Sequence, residues 1–128
     1  MKRTLMIPFV LVALVAAAMI APSVQAKGGK DGTRIVLRPT SAFSGAKGSA
    51  KSQVEGQREL EIEVEHVRRL AGKRVNFFVN SSKVGSARVN GLGRAQIIRR
   101  GATFPAIKAG TRIKVKTTGG ATIVAGRF

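Results

Sequence analysis

The ten residues QRELEIEVEH, Gln57 to His66, decide the fold class. Leu60, Ile62 and Val64 fall on one side of an extended chain and Glu59, Glu61, Glu63 and Glu65 on the other. A period of two with apolar and charged faces is the mark of a half-buried β-strand. Glutamate is a poor strand former, so here the pattern overrides the propensity of the residue. His66 continues the inward parity of the apolar positions and is expected to end the strand with an ordinary hydrogen bond. Arg112 to Thr117 repeats the design with Ile113 and Val115 inward and Arg112, Lys114 and Lys116 outward. Weaker strands are expected at Arg34 to Arg38, Lys47 to Gln53, Arg74 to Asn80, Val84 to Val89, Arg94 to Arg99 and Ala121 to Phe128. No segment beyond the N-terminal region carries a sustained helical period, which makes the domain all-β.

Turn chemistry separates these strands. Asn80-Ser81-Ser82-Lys83 and Asn90-Gly91-Leu92-Gly93 contain residues that tolerate positive φ, so each is expected to close a hairpin, giving a meander from Arg74 to Arg99. Gly119-Gly120 is expected to do the same for the last two strands. Pro39 and Pro105 are placed between strands, where a missing N–H costs little. Seven to eight short antiparallel strands fit an immunoglobulin-like β-sandwich over residues 34–128, with a small closed barrel as the alternative. A row of four glutamates needs cations across from it. The matching row Arg112, Lys114, Lys116 therefore places strands 57–66 and 112–117 side by side.

The N-terminal segment has a different character. Lys2 and Arg3 precede an uncharged, mostly apolar run from Leu5 to Ala18, and Val24-Gln25-Ala26 supplies small residues at a cleavage position. This is the layout of a secretory signal peptide over residues 1–26, followed by a glycine-rich flexible leader over 27–33. The competing assignment is an uncleaved membrane anchor, because apolar residues continue to Pro22. Cleavage after Ala26 would leave no transmembrane segment and one domain of modest core, exported to the periplasm or the extracellular space. It would also remove two of the 23 basic residues and none of the six acidic ones, so the formal charge falls from +17 to +15. The chain has no cysteine, so packing and sheet pairing must hold an exported domain of this size without disulfides.

Catalytic chemistry finds little to work with. His66 is the one histidine and Asp31 the one aspartate, the latter in the leader, so no Ser-His-Asp arrangement assembles and no G-x-S-x-G elbow is present. A zinc site would have to draw on four glutamates standing in a row instead of converging. Calcium has no aspartate-rich loop, and Gly91 and Gly93 precede no Walker lysine. No catalytic, cofactor or metal residue is assigned, and no enzyme activity is expected. With no Trp or Tyr and six Phe, of which Phe77 belongs in the core and Phe78 has the opposite parity, readout by stacking is not expected.

The segments Gly48-Ser49-Ala50, Arg58 to Val64, Val84-Gly85 and Gly126-Arg127-Phe128 resemble uncharacterised exported β-sandwich domains of bacteria. More distantly, the G-x-A strand followed by an alternating apolar strand is similar to chordin-type repeat domains. The resemblance spans about residues 34–128 and implies a fold rather than an activity. The paired-histidine segment of chordin-type domains has no counterpart here.

Basic residues are what remains. Arg68, Arg69, Lys73 and Arg74 crowd one loop, Arg99 and Arg100 another, and Arg112, Lys114 and Lys116 line a strand. Arginine forks and lysine charges of this kind suit phosphate, sulfate or carboxylate groups. The expected partner is an anionic polymer or envelope surface, with nucleic acid bound only non-specifically. The alternative is a structural subunit of the envelope that contacts another protein through its edge strands.

Overall fold

The computed structural model describes residues 32–54, 56–101 and 104–128. The signal peptide expected at 1–26 and most of the leader expected at 27–33 lie outside these residues. Eight strands follow: β1 (Thr33–Pro39), β2 (Lys47–Gln53), β3 (Glu59–Glu65), β4 (Arg74–Val79), β5 (Ser82–Arg88), β6 (Ala95–Arg100), β7 (Arg112–Thr117) and β8 (Thr122–Arg127). Single 3₁₀ turns sit at Ser41–Phe43 and Arg68–Leu70. Strands β2 and β7 match the sequence expectation residue for residue. The others differ at their ends by one or two residues.

All eight strands belong to one antiparallel sheet in the order β5-β4-β7-β8-β1-β2-β3-β6. Strand β1 is the corner. Its residues Thr33 to Leu37 pair with β2, whereas Arg38 and Pro39 pair with β8. Pro39 therefore ends a strand instead of lying between two. The corner needs glycine on both flanks. A Cβ added at Gly48 would lie 3.0 Å from Leu37 Cβ and Val124 Cγ2, and one at Gly126 would lie 2.9 Å from Leu37 Cδ2. At the far ends of the order, β5 and β6 come together, with a Cβ added at Gly85 only 3.2 Å from Ile97 Cδ1. The sheet is thus nearly closed and barrel-like. This replaces the expected two face-packed sheets of an immunoglobulin-like sandwich and lies nearer the barrel alternative.

The core is built from inward-facing strand positions, joined by Val67, Val89 and Phe104 from the connections. Leu37, Ala50, Leu60, Ile62, Val64, Val75, Phe77, Val79, Ile113, Val115, Ile123 and Val124 are essentially inaccessible to water. Burying a side chain of this size contributes about 1.5–3 kcal/mol each against a comparable loss of conformational entropy. Two bulges adjust the pattern. Val115 pairs with Val124 and Lys116 with Thr122, so Ile123 is an extra residue and both Ile123 and Val124 turn inward. Phe77 pairs with Gly85 and Phe78 with Lys83, which makes Val84 the extra residue of β5 and buries it.

Three expectations about neighbours are corrected. Strand β3 does not lie beside β7; it pairs with β2 and β6, and β7 pairs with β4 and β8. Asn80-Ser81 does close a hairpin, and so does the Gly119-Gly120 turn, but the turn at Asn90 to Gly93 leads from one edge of the sheet to the other and the meander stops at β5. The cause lies in that turn. Asn90 Oδ1 accepts from Leu92 N and Arg94 N, Val67 N donates to Gly93 O, and Gly93 (φ 81°) sits so close to Arg68 N that a Cβ would lie 2.6 Å away. The turn is docked on the Val67–Arg68 backbone, and β6 leaves it toward β3. His66 adopts φ 63° just past β3 and is exposed, so the inward parity ends at Val64.

Candidate functional site

Paired residues in an antiparallel ladder project to the same side of the sheet, so the registers define its outer surface. On β4, β5, β7, β8 and the end of β1 that surface is basic. Arg74 stands opposite Arg88, Phe78 opposite both Lys83 and Lys114, Asn76 opposite Lys116, Arg112 opposite Arg127, and Ala125 opposite Lys114 and Arg38. The face therefore carries Arg38, Arg74, Lys83, Arg88, Arg112, Lys114, Lys116 and Arg127. Among the described residues none of these cations lies within ion-pair distance of a carboxylate.

The acidic side chains are elsewhere. All of the described ones, Glu59, Glu61, Glu63 and Glu65, stand on β3. Their company comes from β2 and from β6 and the turn before it. Lys47 and Lys51 stand opposite Glu65 and Glu61, Arg94 Nε bonds Glu63 Oε2, Arg94 Nη2 lies 3.6 Å from Glu65 Oε2, and Arg100 Nη2 lies 3.2 Å from Glu59 Oε2. The hydrogen bond and charge of Glu63 hold the Arg94 guanidinium above its usual pKa, a shift that burial opposes and Glu65 assists. Gln96 Nε2 donates to Glu61 Oε2 at 2.5 Å. The need for cations beside the glutamate row was legible in the sequence, and the strand supplying them was not.

The nine basic residues singled out in the sequence do not form one surface. Arg74, Arg112, Lys114 and Lys116 share the basic face, and Lys73 precedes Arg74 in the turn that enters β4. Arg99 and Arg100 lie on β6 beside β3, where Arg100 is engaged with Glu59. Arg68 and Arg69 belong to the 3₁₀ turn after β3. There Arg69 Nη2 donates to Ala42 O at 2.6 Å and its guanidinium lies 4.3 Å from the Phe43 ring centre, a structural strut between turns. Arg68 and the exposed His66 line two shallow clefts beside it. Sequence reasoning missed Arg38, Lys83, Arg88 and Arg127, because their membership of the face depends on register.

Two features distinguish the face from ordinary solvated charge. Like charges stand directly opposite each other at Arg74/Arg88 and at Arg112/Arg127, an arrangement that costs stability. Arg74 Nη1 reaches Ser86 Oγ at 3.2 Å and Arg88 Nη1 reaches Gly72 O at 2.6 Å, which draws the first pair toward neutral partners. The second pair has no such relief among the described residues. Near the middle of the face, Lys116 Nζ lies 5.0 Å from the centre of the half-buried Phe78 ring.

Among the described residues no three His, Cys, Asp or Glu side chains gather as a metal site, and no helix is long and apolar enough to cross a membrane. Comparison with family models, curated proteins and solved structures finds no match for this chain.

Proposed function

We propose that the protein is an exported, non-catalytic β-domain that associates with an anionic cell-envelope surface or polymer through the face formed by β4, β5, β7 and β8. The observation that carries the reading is the partition of charge. Every described carboxylate side chain stands on β3, while the basic face has none and places arginines in register against arginines. An arrangement that costs the free protein stability is offset when phosphate, sulfate or carboxylate groups occupy the space between the cations. The N-terminal pattern supports export, with cleavage after Ala26, and the resemblance to exported bacterial domains and chordin-type repeats accords with that compartment.

Binding to immobilised heparin across a salt gradient tests the reading. Retention at low salt that falls steeply as salt rises supports it, and absence of retention at low salt refutes it. A second reading, an assembly subunit of the envelope, draws on β5 and β6, each of which has one ladder partner among the described residues. Edge pairing buries backbone hydrogen bonds, so association of that kind would persist at high salt.

A further inference from the structure

The basic face has an internal direction. Strand β7 lies at its centre, with β4 on one side and β8 on the other. Arg112, Lys114 and Lys116 rise from it in single file, about 6.7 Å apart, twice the rise of an extended residue. Arg127 stands beside Arg112 at one end of the file. At the other end Val75 is opposite Thr117, so the Arg74/Arg88 pair falls one step beyond Lys116. The file thus begins and ends on a pair of arginines, roughly 20 Å apart along the strand direction.

The immediate neighbours of the file are neutral, with Lys83 beyond Phe78 and Arg38 beyond Ala125 one strand further out. Lys116 is bordered by Asn76 and Thr122, and Lys114 by Ala125 on the β8 side. Only Phe78, on the β4 side of Lys114, is large. Small flanking side chains leave room for a polymer backbone to lie beside the lysines, and Phe78 offers one apolar contact midway. Stacked nucleic acid carries a charge about every 3.4 Å of each strand, and an unstacked strand stretched to about twice that matches the step of the file.

Resting on the reading of the face as an anion-binding surface, we infer that its ligand is a linear, flexible phosphodiester chain lying along β7. The arginine pairs grip phosphates at the two ends and Lys114 and Lys116 neutralise those between. Six of the eight cations of the face fall on this line and only Lys83 and Arg38 lie to its sides, an elongated array that suits a chain better than it suits a sheet of lipid headgroups. Recognition is by backbone charge and spacing, without sequence readout, since one phenylalanine is no stacking platform.

Oligothymidylates of graded length, measured by fluorescence anisotropy with the purified protein, test this. Affinity is expected to rise with length until about five nucleotides span the file and then to level off. With about four phosphates neutralised, log K should fall with log salt at a slope near −3. Lys114→Gln/Lys116→Gln should flatten that slope by about 1.4, whereas Arg68→Gln/Arg99→Gln, away from the face, should leave it unchanged. Far-UV circular dichroism confirms that each variant is folded. The inference is overturned if the lysine variant binds as the wild type does, if affinity climbs with length without levelling, or if phosphatidylglycerol vesicles bind and oligothymidylates do not. In each of those cases heparin binding would still uphold the broader function. If heparin, oligothymidylate and vesicles are all ignored at low salt, both fall.

Discussion

Reversing one charge at the Arg112/Arg127 pair should make the protein more stable and a poorer binder at the same time. The two residues are cross-strand partners on exposed ladder positions. Two unit charges placed about 7 Å apart in water repel by about 0.6 kcal/mol before salt is added, which sets the scale for this pair. Arg127→Glu replaces that repulsion with an attraction of similar size, a total change of about 1 kcal/mol at low salt. Exposed pairs rarely deliver their full Coulomb value, so about 0.5–1 kcal/mol is expected. For a domain of this size that raises the melting temperature by roughly 2–8 °C. Thermal unfolding followed by circular dichroism in 10 mM salt measures it, and Arg127→Gln should give about half the gain. In 1 M salt, where the screening length is about 3 Å, the gain should nearly vanish. If Arg127→Glu is no more stable than wild type at low salt, or if its gain is the same in 1 M salt, the cost assigned to the opposed arginines is refuted. Weaker polyanion binding by the stabilised variant would show that the pair is kept for function at the expense of stability.

Further outcomes concern the fold and its origin. Gly126→Ala should lose about 1–3 kcal/mol in urea unfolding, since its Cβ would press on Leu37 Cδ2 and the Val36 carbonyl, whereas Gly45→Ala, with open space around it, should be near neutral. Phe77→Ala should cost about 3–5 kcal/mol because the ring is fully buried, while Phe78→Ala, on the outer face, should cost much less and still weaken oligothymidylate binding. N-terminal sequencing of the exported protein should begin at Lys27, and a form that starts at Met1 and stays in the membrane would contradict cleavage.

Strand β3 was readable because its alternation is driven by burial on one side only, and β7 for the same reason. Their ends were placed within two residues in one case and residue for residue in the other. Strand β8 read weakly because the bulge at Ile123 turns two consecutive apolar residues inward and breaks the period. Pairing was less legible than the strands themselves. The charge match of the glutamates with Arg112, Lys114 and Lys116 was chemically sound, yet Lys47, Lys51, Arg94 and Arg100 met the same need from nearer strands. The Asn90 to Gly93 turn carried hairpin residues, and its docking on Val67 and Arg68, a contact between two turns distant in sequence, redirected β6. Half of the basic face was legible as the outward row of β7 and Arg74. The other half, Arg38, Lys83, Arg88 and Arg127, came together only through register across the corner at β1 and the bulge in β5.

Residue-level NMR of the ¹⁵N-labelled protein titrated with a heparin oligosaccharide in low salt tests the central claim most directly. The expected result is that amide shifts concentrate on β4, β5, β7 and β8, largest around Arg112 to Lys116 and Arg127, and reverse on adding salt. Shifts confined to β3, β6 and the Arg68–Leu70 turn, or no shifts at all, would contradict it.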